Sequence, residues 1–160
     1  MEPRVSPLPA VPDFLEVVAE RIWRAWWQAE EPDPGPIAAR LRPGLRGGAL
    51  PQALVAHRDG TYLGHVLLID SDLAERPALA PWLAALWVEP EWRGRGIATR
   101  LLAEGARLAE GRGFAEVHLC ARPALRGFYA GKGWQLAETP VGVEGLDVFR
   151  RRLPGAAAGA

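Results

Sequence analysis

Trp87-Val88-Glu89-Pro90-Glu91-Trp92-Arg93-Gly94-Arg95-Gly96-Ile97-Ala98 is the stretch on which the reading of this chain turns. An apolar run, Leu83 to Val88, precedes it and has the character of a strand covered on both faces. Ile97 to Arg112 follows, with Ile97, Ala98, Leu101, Leu102 and Leu108 at helical spacing and Arg100, Glu104 and Arg107 opposite. Between strand and helix stand two glycines and two arginines. The first turn of a helix has N–H groups without intrahelical acceptors and carries a partial positive charge. Glycines let the backbone approach an anion closely, and Arg93 and Arg95 add full charges and donors. The spacing predicts a phosphate-bearing ligand held at the start of this helix.

Two common phosphate loops do not fit. A Walker loop requires Gly-Lys-Ser/Thr at its end, and the one lysine, Lys132, lies far downstream. The dinucleotide fingerprint Gly-x-Gly-x-x-Gly finds Gly94 and Gly96 but has Thr99 at its third position. There is also no acid at the end of the strand predicted over 116–120.

With 160 residues the chain is long enough for one domain with a sizeable core. Its formal net charge of +0 gives no general attraction to nucleic acid or a membrane surface. Cys120 is the sole cysteine, which excludes an intrachain disulfide and gives no cysteine-based metal site. The opening Met1-Glu2-Pro3-Arg4 runs into prolines without the apolar core of a secretory signal. No apolar run reaches the ~18–20 residues of a membrane span. A cytoplasmic protein without metal is expected.

The flanks supply the rest of the architecture. Residues 1–12, with Pro3, Pro7, Pro9 and Pro12, form an arm or at most a short edge strand. Asp13 is placed to cap a helix from Phe14 to about Glu30, in which Trp23, Trp26 and Trp27 are expected to pack at the core and its rim. Glu31-Pro32-Asp33-Pro34-Gly35-Pro36 ends it; a short helix over 37–41 and a loop over 42–51 follow. Residues 53–57 and 61–69 read as a hairpin around Asp59-Gly60. Strand 83–88, helix 97–112 and strand 116–120 make a βαβ unit with a right-handed crossover. A short helix over 123–130 and two antiparallel strands, 134–139 and 146–153, complete one domain over 1–153. The tail 154–160 has nothing to bury and is expected to lack order.

In this order of elements, two segments resemble the GNAT N-acetyltransferases. Arg93, Gly96 and Ala98, read as Arg-x-x-Gly-x-Ala after Trp82–Val88 and Pro90, resemble the family's acyl-CoA pyrophosphate loop. Leu125-Arg126-Gly127-Phe128-Tyr129-Ala130-Gly131-Lys132-Gly133-Trp134 is similar to its late segment, in which a tyrosine precedes a Gly-aromatic pair. The similarity extends over about residues 13–153; the departure is at the front, where the family's first strand is not obvious. The resemblance implies a mixed α/β fold with a sheet of six to seven strands and a V-shaped opening between strands 83–88 and 116–120. It implies acetyl-CoA as co-substrate, its pantetheine arm paired with Leu86 and Val88, its pyrophosphate on Arg93, Gly94, Arg95, Gly96, Ile97 and Ala98. It makes Tyr129 the acid that protonates the leaving thiolate, and the acceptor a primary amine of a small molecule or peptide. Many relatives pair, so a homodimer is compatible.

Three matters stay open at this level. Asp70, Asp72, His65, His118 and Glu89 are all candidate bases, and ordered water is an alternative to each. Cys120, without a visible His/acid partner, is expected to be a small buried hydrophobe and not a nucleophile. Arg126 either reaches a phosphate of the ligand or lies on the surface. The rival to an enzyme is a non-catalytic acyl-CoA-binding or interaction module of the same fold.

Overall fold

A computed structural model describes residues 2–157. Seven strands form one mixed sheet: β1 Arg4–Pro7, β2 Gln52–Arg58, β3 Thr61–Ile69, β4 Trp82–Val88, β5 Glu116–Ala121, β6 Gln135–Val141 and β7 Leu146–Arg152. Their order is β1-β2-β3-β4-β5-β7-β6. The helices are α1 Leu15–Ile22, α2 Gly35–Leu41, α3 Ile97–Gly111, α4 Arg126–Ala130 and a last turn, α5 Pro154–Ala157. The tail thus begins with a helical turn, while residues 158–160 lie outside the described residues. The chain forms two compact units, Met1–Leu67 with Ala85–Glu104, and Leu68–Ala84 with Gly105–Ala160.

In the first unit, β1 pairs antiparallel with β2, Arg4 opposite His57 and Pro7 opposite Leu54. The front of the chain therefore does supply a first strand. Pro7 at its end is tolerated because an edge strand leaves some amides unpaired. Asp59 and Gly60 take φ of 50° and 78°, the left-handed pair that a two-residue hairpin turn demands. In α1 the buried residues are Leu15, Val18, Ala19 and Ile22, one face at helical period. Each fully buried Leu or Val of such a face contributes about 1.5–3 kcal/mol.

The long first helix expected from Phe14 to about Glu30 is not continuous. Pro12–Phe14 is a 3-10 turn, α1 ends at Ile22, and Trp23–Trp27 is a π turn. The wider turn accommodates three tryptophans in five residues. Trp23 Nε1 donates to the Glu31 carbonyl at 2.9 Å, and Trp26 meets Trp87 edge to face at 6.5 Å between ring centroids. Trp26 and Trp27 are 48% and 36% exposed, so of the expected packing at the core and its rim these two take the rim.

The second unit is built on β5, β7 and β6. β7 lies antiparallel between the other two, Cys120 opposite Val148 and Leu136 opposite Phe149. β4 enters beside β5 in parallel, with Trp82 opposite His118. Leu73, Trp82, Val141 and Val148 form a core cluster, and Trp82 Nε1 donates to the Leu79 carbonyl at 2.8 Å. At Gly105 a Cβ would come within 2.6 Å of a Leu83 methyl, so α3 packs on β4 at glycine distance. Among the described residues no helix is long and apolar enough to cross a membrane.

Candidate active site

β4 delivers the chain to its site through a defined sequence of conformations. Glu89 is followed by a 3-10 turn over Pro90–Trp92, then by extended Arg93, and then by Gly94 and Gly96 with φ of 75° and 82°. Open space surrounds both glycines where a Cβ would stand, so it is the left-handed backbone and not crowding that selects glycine. The first hydrogen bond of α3 runs from the Arg100 amide to the Gly96 carbonyl at 3.1 Å. The amides of Ile97, Ala98 and Thr99 therefore stand before the helical ladder, as the first turn of any helix must. Ile97 anchors the turn in the core at 5% exposure.

The two arginines of the loop differ. Arg93 Nε donates to the Val88 carbonyl at 2.8 Å, and its guanidinium lies 4.7 Å from the centre of the Trp87 ring. It ties the loop back to the end of β4, with its outer N–H groups free to reach a ligand. Arg95 is exposed and stacks on Trp92 at 4.8 Å. A stacked guanidinium keeps its in-plane donors, so Arg95 is oriented without being consumed.

β4 carries Leu86 and Val88, the first half-buried and the second buried. Just before them Ala85 adopts φ 53°. A non-glycine residue there costs of order 1–3 kcal/mol and marks a place where a strand leaves its ladder. Gly64 of β3 lies beneath this segment: a Cβ on it would stand 2.4 Å from the Trp87 carbonyl oxygen.

The candidate bases fare differently. Glu89 accepts from Arg21 Nε at 3.0 Å, from Arg21 Nη2 at 2.6 Å and from Trp87 Nε1 at 2.9 Å. The Arg21 hydrogen bonds hold its carboxyl below the ordinary range, which suits an anchor and not a base at neutral pH. His65 has no solvent exposure, and burial lowers its pKa to about 3. His118 is 3% exposed, with Nδ1 3.2 Å from the Pro81 carbonyl and Nε2 3.7 Å from Glu116. Asp70 is exposed. Asp72 accepts a hydrogen bond from the Cys120 thiol at 3.2 Å, and the loss of water around it raises its pKa. Burial and the Asp72 charge push the thiol up to about 12, so Cys120 is no nucleophile. It is half-buried and hydrogen-bonded, not the inert hydrophobe expected.

Tyr129 sits on α4, 8% exposed, its ring 5.5 Å from Phe149 of β7 and 5.1 Å from Phe128. Burial raises its hydroxyl above the ordinary value, so it is protonated at neutral pH. Arg126 on the same helix donates from Nε and Nη2 to the two oxygens of Asp147, each at 2.8 Å. Of the two alternatives expected for Arg126, the structure places it at the surface, with its guanidinium committed to a fully buried carboxylate. Among the described residues no group of three or more His, Cys, Asp and Glu side chains could hold a metal.

A strand ending in a glycine-arginine loop at a helix start, with a tyrosine on a short helix after the next strand, is a family pattern. The model of the Acetyltransferase (GNAT) family matches residues 17–134. The chain belongs to the GNAT family. It is accordingly an acetyl-CoA-dependent N-acetyltransferase. Solved GNAT structures share its fold at low identity. A GNAT-family acetyltransferase assignment from Desulfovibrio desulfuricans superposes with a TM-score of 0.71 and 14% identity, covering 95% of this chain and 99% of the other. A ribosomal-protein-alanine N-acetyltransferase from Brucella melitensis gives 0.68 and 21%, covering 96% and 100%. PaiA N-acetyltransferase from Thermoplasma acidophilum, solved with coenzyme A, gives 0.67 and 16%, covering 95% and 99%. No curated protein matches the chain.

Proposed function

We propose that this GNAT enzyme moves an acetyl group from acetyl-CoA to a primary amine, of a small molecule or of a protein N-terminus, by direct attack in a ternary complex. The observation that carries the reading is the loop from β4 into α3. Two left-handed glycines, open space at both, unladdered amides at Ile97, Ala98 and Thr99 and the stacked Arg95 suit a pyrophosphate. Leu86 and Val88 then serve as backbone partners of the pantetheine arm, and an amide of this strand as donor to the oxyanion. Loss of one such donor typically costs ~3–4 kcal/mol of barrier.

Tyr129 is assigned the proton for the departing thiolate, a role its raised pKa favours because the hydroxyl stays protonated. The thiol of Cys120, held up at about 12, argues against an acyl-enzyme and for direct transfer. Asp72, exposed after β3 and accepting from the Cys120 thiol, is one of the side chains that could take the amine proton, as is ordered water.

Calorimetry with acetyl-CoA, followed by thiol release across an amine panel, tests the proposal. The expected result is binding near one per chain, weakened about tenfold by Arg95→Ala, and thiol release that depends on a primary amine. Binding without amine-dependent release over a broad panel would refute the transfer to primary amines.

A further inference from the structure

Within the second unit a cleft of about 320 Å³ opens between the segment from β3 to β4 and the turn from β6 to β7. Its size is near the lower end of the ~300–1,000 Å³ of small-molecule sites. Leu73, Val141 and Leu146 give it an apolar lining, and Glu75 and Glu144 add two carboxylates. The Glu75 carboxylate lies against Gly142, 3.0 Å from where a Cβ would stand, so the missing side chain lets it close on the turn.

Neither glutamate is neutralised. Arg76, beside Glu75 in the chain, is committed to Glu138 of β6 by two hydrogen bonds of 2.7 Å. No lysine or arginine lines the cleft, and among the described residues neither Glu75 nor Glu144 makes a side-chain hydrogen bond or ion pair. Carboxylates alone would be a solvated rim. The apolar lining beneath them adds a second demand, for a hydrocarbon stretch that gains by leaving water. A ligand with both features is an aliphatic chain with a positive end, and a negative end is repelled.

β7 relates the cleft to the assigned acid. Leu146 and Val148 face Leu73 and Val141, whereas Asp147 and Phe149 face Arg126 and Tyr129 of α4. Cleft and tyrosine thus lie on opposite faces of one strand. Asp72 and Cys120 meet at the adjacent end of β5, Cys120 packing on the same apolar cluster. Attack by the amine and departure of the thiolate take different directions at one carbon, so an acceptor belongs across the sheet from the acid.

We propose that this cleft binds the acceptor, and that the acceptor is a small aliphatic amine with a second positive charge, held by Glu75 and Glu144. The inference rests on the reading of acetyl transfer to a primary amine and names its substrate class. The near ammonium loses one proton to become a nucleophile and a second once its C–N bond has formed. The C–S bond breaks, the thiolate takes the Tyr129 proton, and one of the two released protons restores the phenol.

The test measures thiol release with cadaverine, pentylamine and aminovalerate, which share a five-carbon chain and differ at its far end. In wild type the KM for cadaverine should lie about tenfold below that for pentylamine, with aminovalerate poorest. Glu75→Gln and Glu144→Gln should each raise the cadaverine KM about threefold, and the double variant should erase the preference. Acetyl-CoA affinity should stay unchanged in all three. Equal KM values for cadaverine and pentylamine in wild type, or a preference that survives in the double variant, would overturn the proposal. Binding is read independently from the Gly142, Val143 and Glu144 amide shifts on adding cadaverine. If acetyl-CoA binds and no amine is acetylated, the transfer reading fails on its own. The shifts then judge the cleft: their absence in wild type, or their persistence in the double variant, overturns it.

Discussion

Arg126 holds Asp147 by two parallel hydrogen bonds of 2.8 Å, and the carboxylate so held has no contact with solvent. The pair docks α4 onto β7. Asp147 and Phe149 alternate along β7, and Arg126 and Tyr129 stand one turn apart on α4, so ion pair and ring contact fix the same two surfaces. A helix of five residues cannot hold its own shape. Asp147→Asn is therefore expected to lower Tm by about 5 °C and to reduce kcat through Tyr129 more than it alters acetyl-CoA binding. The pH sense is fixed as well. The Arg126 guanidinium holds the carboxyl below its ordinary value of 3.8. Its stabilisation is complete above that unfolded value and is lost as pH falls through the lower folded one. Melting curves of both proteins between pH ~2 and ~7 should thus converge at the acid end; a constant gap would place the effect outside the ion pair.

Tyr129→Phe removes the proposed acid and keeps the ring on Phe149. The expected loss is about 100-fold in kcat for thiol release, with acetyl-CoA affinity within about threefold. Because burial raises the Tyr129 pKa, the wild-type rate should show no alkaline fall near the ordinary phenol value of 10 from this group. An unchanged kcat in the Phe variant would remove Tyr129 from the chemistry.

What could be read without the structure was local in origin. The glycines at 94 and 96 and the Asp59-Gly60 turn follow from backbone preferences of single residues, and β4 and α3 from periods of apolar side chains. What could not be read depends on distant partners. Glu89 is an open candidate base until Arg21, far back in the chain, closes on it. Arg126 looks like a surface charge until Asp147 is placed, and an acid within Leu146–Phe149 was the only hint. Three tryptophans at 23–27 signal packing but not a π turn with two of them exposed. Ala85 is the extreme case, since alanine carries no preference for the conformation it takes.

Gly64→Ala tests how closely β3 and β4 must approach. The added Cβ would lie 2.4 Å from the Trp87 carbonyl and 3.1 Å from the Val88 Cα, both backbone atoms that cannot turn aside. A destabilisation of roughly 1–3 kcal/mol is expected by chemical denaturation, together with weaker acetyl-CoA binding as β4 is pushed outward. Gly96→Ala provides the contrast. Nothing crowds its Cβ, so its cost of about 1 kcal/mol comes from the left-handed backbone alone. Equal effects of the two substitutions would show that the close approach is relaxed in solution.

Glu89→Gln separates an anchor from a base. As an anchor, Glu89 receives Arg21 and Trp87 in one carboxylate at the end of β4, and α1 is tied there through Arg21. The Arg21 hydrogen bonds lower its pKa below 4.5. A carboxyl so lowered stabilises the fold fully above its unfolded value, and the benefit disappears as pH drops through the folded one. At neutral pH it is ionised with or without substrate, and a weaker base for that reason. The substitution should lower Tm by a few degrees at pH ~7, with the difference vanishing near pH ~3. It should leave the acid limb of the rate profile where it is. If that limb instead disappears with Glu89 while the melting temperature holds, the carboxylate is taking the amine proton and its contact with Arg21 must open during turnover.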